Sequence, residues 1–339
     1  MELKRGINLG GYLSQCVHSM EHYKSFIGEE DIKRIADWGF DHVRLPIDYE
    51  VLENEDGSER EEGYQFVYNT VDWCMKYKLN IILDLHKAPG YDFNHAGNSA
   101  ENNLFTSEAL QNRFVNLWVN IVKHFWGYDN VAFELLNEVV EKDNVELWNA
   151  LIKRTVTAIR KIAKSSPIIY GGIQWNSATT LKYLEKPLDK NIIFTFHFYE
   201  PLLFTHQKAH WVEKMDKKKD VFYPDDMETY KEESAKLGEQ GLTVSESTAA
   251  DIGEEFLEQV VEAAITAAAD AGVSLYCGEF GVIDQAPVED TLRWFTTVDE
   301  VFKKHQIGFA VWSYKEMDFG ITESHYDDIR EPLLTLWNK

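Results

Sequence analysis

The sequence predicts an α/β protein built as one (β/α)8 (TIM) barrel with an inserted segment after its sixth strand. Eight short apolar runs, rich in β-branched residues, recur along the 339 residues. Such runs are typical of parallel strands that are buried on both faces. Helical patterns lie between the runs, and an alternation of strands and helices from end to end indicates a barrel of β-then-α units.

The predicted strands follow the chain in order, as do the clearest helices. The strands are Lys4–Leu9, His42–Ile47, Asn80–His86, Val131–Asn137, Pro167–Gly172, Ile192–Tyr199, Ser274–Phe280 and Gly308–Ser313. The helices are Gly28–Asp37, Ser107–Phe125, Val145–Lys164 and Glu254–Ala271. An open doubly wound sheet is the rival fold, but no GxGxxG follows a strand and no GxxxxGK[ST] occurs. We therefore predict a single barrel domain over residues 1–339.

The sixth β-then-α unit departs from the regular alternation of strands and helices. About fifty residues, 200–253, separate the sixth strand from the next clear helix, and they begin with aromatic residues and continue with charged ones. Long connections inside compact domains are usually functional lids or small subdomains. We predict that residues 200–253 form a lid or subdomain over the mouth of the barrel. The alternative is a solvent-exposed loop without function, which would have the same composition.

The charge of the chain excludes some classes of partner. Lys and Arg number 34 against 57 Asp and Glu, which gives a net charge of −23. Nucleic-acid binding depends on Lys and Arg that neutralise phosphate, so we expect no nucleic-acid partner. An anionic membrane is disfavoured for the same reason. A neutral polysaccharide is not repelled by this negative charge and is therefore compatible with it as a substrate. We also expect the protein to act as a monomer.

The termini and cysteines predict neither a membrane segment nor a metal site. The opening MELKRGINLGGYL has no apolar core and no small-residue cleavage site, which predicts a cytoplasmic protein, or a secreted one if a signal has been removed. No apolar run is long enough to span a bilayer. Cys16, Cys74 and Cys277 are far apart and form no CxxC pair, so we expect buried free thiols and neither a disulfide nor a zinc site.

Polar side chains collect at the carboxyl ends of the predicted strands. In barrel enzymes the reacting groups come from these ends. Six of the predicted strands carry them: Arg44, Asp84, His86, Asn137, Glu138, His197, Tyr199, Glu279 and Trp312. One polar residue at a strand end is usually a helix cap or a loop anchor, but six strands that direct polar groups at one mouth indicate an active site.

Glu138 and Glu279 are the candidate catalytic pair. Each follows an apolar run, on strands four and seven, at opposite sides of the mouth. Two carboxyl groups that face each other across a cleft suit glycoside hydrolysis, in which one donates a proton and the other attacks the sugar. Arg44 is a cation that could keep one of them ionised. The alternative is that Arg44 and Glu138 form a buried ion pair without chemistry.

Other mechanisms fit less well. No GxSxG nucleophile elbow is present. His206 and His210 have the spacing of a zinc-binding helix, but Gln207 stands where the HExxH motif needs Glu. We interpret both histidines as residues of the insertion that line the cleft, and we expect no metal and no organic cofactor.

Several sequence blocks together resemble glycoside hydrolase family 5, a family of retaining β-glycanases with a (β/α)8 barrel. The blocks are GINLGG, GFDHVRLPIDY, LDLHKAPGY, LLNE, FTFHFYEP with FTHQKAHW after it, LYCGEFGV and AVWSYKEMDF. The resemblance covers essentially the whole chain and is nearest to bacterial endoglucanases whose strand-six loop is an inserted subdomain. The Asn-Glu pair and the Gly-Glu-Phe-Gly segment are specific in combination.

The resemblance implies a role for each matching residue. By analogy, Glu138 is the general acid/base and Glu279 the nucleophile. Asn137 would bond the 2-hydroxyl of the sugar at the cleavage point, Arg44 would support the nucleophile, and Tyr199 would donate to it. The remaining positions are substrate-binding by the same analogy: His86, His197 and Trp312. Stacking on Trp175 or Trp211 is also possible in this picture, with ordinary packing as the alternative.

The implied activity is endo-hydrolysis of β-1,4-glucans with retention of configuration. Cellulose-type and mixed-linkage β-1,3-1,4-glucans are the expected substrates. An endo-β-1,4-mannanase or glucomannanase of the same family is the alternative enzyme, and a non-catalytic glycan-binding barrel is the alternative outside enzymes.

Overall fold

A computed structural model describes residues 1–339, and its centre is a closed barrel of eight parallel strands. The strands are β1 (Arg5–Asn8), β2 (His42–Asp48), β3 (Asn80–Lys87), β4 (Val131–Glu134), β5 (Ile168–Gly171), β6 (Ile192–Phe198), β7 (Ser274–Phe280) and β8 (Gly308–Val311). Each strand pairs with the next, and β8 pairs with β1. The predicted barrel is confirmed, because the eight apolar runs are the eight strands.

Helices surround the barrel. They are α1 (Met20–Ser25), α2 (Glu29–Asp37), α3 (Tyr49–Leu52), α4 (Glu61–Lys76), α5 (Glu108–Phe125), α6 (Val145–Arg160), α7 (Leu202–Thr205), α8 (Met227–Ala235), α9 (Leu242–Ser245), α10 (Glu254–Ala271), α11 (Val288–His305) and α12 (Arg330–Trp337). No helix of the structure has both the length and the apolar character needed to cross a bilayer.

The fifth unit departs from the predicted β-then-α rhythm. Between β5 and β6 the chain forms only a six-residue 3-10 turn, Ala178–Tyr183, instead of an α-helix. This turn packs against α10, whose predicted bounds are confirmed. Pro187 follows four residues after the turn, so a helix continued from it would end at or before Lys186.

The barrel interior is layered. Because side chains alternate along a strand, residues two apart point to the same face. Toward the amino ends of the strands, a small separate cluster fills the barrel: Ile82, Ala132, Ile169, Tyr276 and Ala310. Two residues further along β3 and β4 stand Asp84 and Glu134, which are register partners and fully buried. The apolar layer therefore supports a charged layer directly below the mouth.

Residues 200–253 contain α7, α8 and α9 and contact α11 of the barrel, where Trp294 Nε1 donates to the Glu200 carbonyl at 2.9 Å and Asp290 accepts from the Tyr223 N–H at 3.2 Å. Phe204 and Tyr223 lie with ring centroids 5.3 Å apart. The Gln207 side chain donates to the carbonyl of Val221 at 2.9 Å and accepts from its N–H at 3.1 Å, and so closes a loop of fourteen residues in the first half of the segment. That this segment works as a lid stays a prediction.

All three cysteines are free. Cys74 and Cys277 are buried as predicted, whereas Cys16 is only partly buried. The expectation of three buried thiols is therefore wrong for Cys16, which lies in the surface loop after β1 and not in a strand.

Candidate active site

The structure brings all eight predicted site residues together at the carboxyl mouth of the barrel. Seven of them line one cleft of about 960 Å³: His86, Asn137, Glu138, His197, Tyr199, Glu279 and Trp312. The eighth, Arg44, is fully buried beneath its floor. Residues from distant parts of the chain meet here because parallel strands end at the same edge of the sheet.

The two candidate catalytic carboxyl groups face each other. One oxygen of Glu138, one oxygen of Glu279 and one ring nitrogen of His197 all lie within 4.8 Å of one another. Retaining glycosidases hold their carboxyl groups ~5–5.5 Å apart, whereas inverting ones need ~6.5–9.5 Å to admit a water between them. The short separation leaves room for direct attack on the sugar and none for an intervening water.

Arg44 organises the floor of the cleft. Its Nε and Nη2 donate to the two oxygens of Glu134 at 2.8 and 2.9 Å, a bidentate pair. Its Nη1 donates to Glu279 Oε1 at 2.7 Å, and Nη2 also lies 3.1 Å from Asp84 Oδ2. Arg44 does not pair with Glu138, so the alternative of a purely structural Arg44–Glu138 ion pair is wrong.

Glu279 receives a hydrogen bond on each oxygen. Arg44 donates to Oε1, and the Tyr199 hydroxyl donates to Oε2 at 2.9 Å. Burial and the neighbouring carboxylates raise the pKa of Tyr199 well above its usual value, so this hydroxyl keeps its proton. Two donors therefore hold the Glu279 carboxyl group in one orientation, with both of its oxygens hydrogen-bonded.

Glu138 has a different environment. Burial raises its pKa to about 7, although the charges of His86 and Arg44 act in the opposite direction. Desolvation is therefore the main cause of the raised pKa of Glu138. His197 Nδ1 lies 2.7 Å from Glu138 Oε1, and burial lowers the pKa of His197 to about 4, so the imidazole is neutral.

Trp312 and His86 form a wall of the cleft. Their rings are parallel to within 4°, with centroids 5.8 Å apart. Asp84 Oδ2 bonds His86 Nδ1 at 2.6 Å, which fixes the orientation of the imidazole. The Asn137 Oδ1 atom accepts from Arg44 Nη2 at 2.9 Å, so the Asn137 amino group is the part left for a ligand. A pyranose could stack on the tryptophan and bond the amide.

Aromatic residues continue along the cleft. Trp175 and Trp211 both line it, and Trp211 is 47% exposed. Trp175 sits in a left-handed turn with positive φ at Gln174, Trp175 and Asn176, a conformation that is rare for bulky residues and that often marks functional sites. His206 and His210 line the same cleft, as predicted.

Two groups of side chains are close enough to hold a cation. They are Glu138, His197 and Glu279 in the cleft, and His18, Asp48 and Glu50 beside it. In the first group the Arg44 guanidinium lies 2.7 Å from Glu279 and would repel a cation. In the second, both nitrogens of His18 already bond Tyr23 and Asp48. Neither group has the chemistry of a strong metal site.

Sequence reasoning missed Glu134 and the role of Asp84. Both are fully buried and both contact Arg44. A signal was available, since a charged residue inside an apolar strand is almost never fully buried without a partner. The segments LDLH and VAFELL each contain one such residue.

A barrel with facing carboxyl groups over a sugar-sized cleft defines a glycoside hydrolase. The comparison with protein families makes this specific: the model of the cellulase family, glycosyl hydrolase family 5, matches residues 5–318. The chain belongs to this family, as the sequence blocks predicted.

Known relatives and solved structures agree with this family assignment. Endoglucanase C of Acetivibrio thermocellus is 41% identical over 338 residues, which cover 98% of this chain and 96% of the relative. Cellodextrinase A of Ruminococcus flavefaciens is 40% identical over 89% of this chain and 83% of the relative. Thermotoga maritima Cel5A, solved with cellobiose and with mannotriose, is 26% identical, with TM-scores of 0.74 and 0.73 over 99% of this chain and 97% of that one.

Proposed function

We propose that this chain is an endo-β-1,4-glucanase that hydrolyses internal bonds of cellulose-type and mixed-linkage β-1,3-1,4-glucans with retention. The observation that carries the proposal is the approach of a Glu138 oxygen and a Glu279 oxygen to within 4.8 Å in one cleft. The relatives named endoglucanase and cellodextrinase support the substrate class. All eight site residues come from one chain, which supports action as a monomer.

The geometry supports a two-step reaction. Glu279, ionised beside Arg44 and Tyr199, attacks the anomeric carbon while Glu138 protonates the leaving oxygen. The product of this step is a glycosyl ester on Glu279 and a freed sugar chain. Glu138, now a carboxylate, takes a proton from water, and that water cleaves the ester. Two inversions at one carbon give net retention.

The cleft also suits an uncharged substrate. Its lining carboxyl groups are Glu138, Glu200, Glu239, Glu246, Glu279 and Asp318. No Lys or Arg lines it. A cleft of one sign of charge repels ligands of the same sign, which supports neutral glucans over polysaccharides that carry uronic acids.

Polysaccharide hydrolysis tests the proposal. We expect release of reducing ends from barley mixed-linkage β-glucan at least about tenfold faster than from mannan, with newly formed products in the β configuration by proton NMR. Strong release from mannan with none from β-glucan would contradict the substrate, and α products would contradict retention.

The mannanase alternative keeps one supporting observation. Thermotoga maritima Cel5A, which resembles this chain over nearly its whole length, has been solved with mannotriose as well as cellobiose. The two sugars differ at the 2-hydroxyl, which is the group assigned to Asn137. The same polysaccharide comparison decides between these substrates. The non-catalytic alternative is not favoured, because both carboxyl groups are present and face each other.

The pH dependence of kcat/KM should report the pKa of the catalytic acid, Glu138. We expect kcat/KM on β-glucan to fall about tenfold per pH unit above pH ~7, because Glu138, with its pKa raised to about 7, must carry a proton. The decline should be shallower with an aryl β-cellobioside, whose phenolate leaves without full protonation. A profile that stays flat to pH 9 on β-glucan would assign the acid to another group.

A further inference from the structure

The first turn of the insertion, residues 200–253, contacts the tyrosine that donates to Glu279. Helix α7 begins three residues after β6 ends, and the hydroxyl of its last residue, Thr205, donates to the main-chain carbonyl of Tyr199 at 2.5 Å. The main-chain carbonyl of Thr205 accepts from the N–H of Ile283, in the loop after β7, at 2.9 Å. The insertion is therefore bonded both to Tyr199 and to the loop that follows Glu279.

The next residue, His206, packs its ring on the ring of Tyr199. The two ring centroids lie 4.8 Å apart at an interplanar angle of 86°, which is an edge-to-face contact. Phe319, in the loop after β8, contacts both rings, with its centroid 5.3 Å from that of His206 and 6.0 Å from that of Tyr199. The orientation of the Tyr199 ring therefore depends on two side chains that lie outside its own strand.

The hydrogen bonds of His206 indicate which of its nitrogens carries the hydrogen. Its Nδ1 lies 3.1 Å from the Thr205 hydroxyl oxygen. That hydroxyl has one hydrogen, which the Tyr199 carbonyl accepts, so the oxygen accepts from His206 and Nδ1 is the protonated nitrogen. Burial lowers the pKa of His206 to about 3, so the imidazole is neutral. It therefore packs on Tyr199 without adding a charge beside Glu279.

We propose that His206 is a positioning residue that holds the Tyr199 hydroxyl on the nucleophile, so that the insertion takes part in the attack on the sugar. The phenol oxygen is the far end of the Tyr199 side chain, and it reaches Glu279 Oε2 at 2.9 Å. A rotation of the side chain displaces this atom most, and hydrogen bonds weaken steeply away from their ideal geometry. The role rests on the proposed function, because it matters only if Glu279 attacks a sugar.

A double-mutant cycle with Tyr199→Phe tests whether His206 acts through the tyrosine hydroxyl. The probe is 2,4-dinitrophenyl 2-deoxy-2-fluoro-β-cellobioside, from which Glu279 displaces dinitrophenolate to form a slowly hydrolysed ester. The measured quantities are the inactivation rate constant at saturating probe and the probe concentration that gives half of this rate.

His206→Ala is expected to lower the saturating rate constant about tenfold when Tyr199 is present, because the hydroxyl is then misplaced at the reacting group. In the Tyr199→Phe background the hydroxyl is already gone, and His206→Ala should lower the rate constant less than about twofold further. The half-saturating concentration should stay within about twofold of wild type, because the change affects the attack and not the binding of the probe. A purely structural role would give the same loss in both backgrounds.

Three further variants complete the experiment. His206→Phe keeps a ring against Tyr199 and should retain the rate constant within about threefold of wild type. Thr205→Val keeps the shape of the side chain but loses its hydrogen bonds, and it should lower the rate constant about threefold, so it tests the role even if His206→Ala does not fold. His325→Ala is the matched control: its ring has a similar edge-to-face contact with Tyr326, at 5.3 Å and outside the cleft, and the rate constant should not change.

The outcomes separate this role from the proposed function. Equal losses in the two backgrounds, or rate constants within about twofold of wild type for both His206→Ala and Thr205→Val, would overturn the positioning role alone. Peptide mass spectrometry after the reaction identifies the labelled residue. A wild type that carries no label on Glu279 would overturn the proposed retaining mechanism, and the role of His206 with it.

Discussion

Glu279→Ala should lower kcat by on the order of 10⁴-fold or more, while the protein still folds and binds β-glucan. The nucleophile is the group that forms the bond to the anomeric carbon, so no other contact can replace it. Binding should persist because the other groups that face the sugar, Trp312 and Asn137 among them, are untouched. Turnover by initial rates and binding by affinity electrophoresis in β-glucan gels check the two halves of this expectation.

A small anion should restore part of the lost activity. The space left by the Glu279 carboxyl lies beside Arg44 and Tyr199, whose donors remain in place. Azide bound there would attack the anomeric carbon of an aryl β-cellobioside from the same side as Glu279 and give the α-configured glycosyl azide. Glu138→Ala is the matched control, since there azide should give the β-configured product. Wild-type turnover in Glu279→Ala would contradict the assignment of the nucleophile.

The barrel was predictable because its strands are short and buried on both faces. Runs such as His42–Ile47 and Ser274–Phe280 are mostly apolar, and short, mostly apolar runs that alternate with helices are typical of parallel strands covered on both faces. The missing helix after β5 was not predictable in the same way. The turn Ala178–Tyr183 depends on its packing against α10, some eighty residues later in the chain, and such contacts override local preference.

The residues that line the mouth of the barrel could be predicted from the sequence, whereas the partners of Arg44 beneath the floor of the cleft could not. Strand ends and family blocks led to all eight residues that the structure brings together. The partners of Arg44 beneath the floor, Asp84 and Glu134, are different, because they lie on β3 and β4 and no local pattern pairs them with β2. The cause of the raised pKa of Glu138 also depends on its burial, which spacing along the chain does not reveal.

The buried charge beneath the cleft should control stability as well as activity. Arg44→Met is expected to lower the free energy of unfolding by about 3–5 kcal/mol at pH 8, since removal of one partner leaves buried carboxylates without a counter-ion. In the wild type, burial already raises the pKa of Glu134 and raises that of Asp84 to about 7, although Arg44 lowers both. Without Arg44 both pKa values rise further.

The sign of the pH dependence follows from these shifts. A carboxyl group whose pKa is higher in the folded than in the unfolded state destabilises the fold progressively as the pH rises above its unfolded value, ~4. The deficit of Arg44→Met relative to wild type should therefore be smallest near pH 5 and grow toward pH 8. Guanidinium chloride unfolding at both pH values measures it. Lys33→Met, in an exposed pair with Asp37 on α2, is the matched control and should leave the free energy of unfolding nearly unchanged at either pH. A deficit that is equal at pH 5 and pH 8 would mean that Arg44 stabilises the barrel by packing and not by compensating the carboxylates around it.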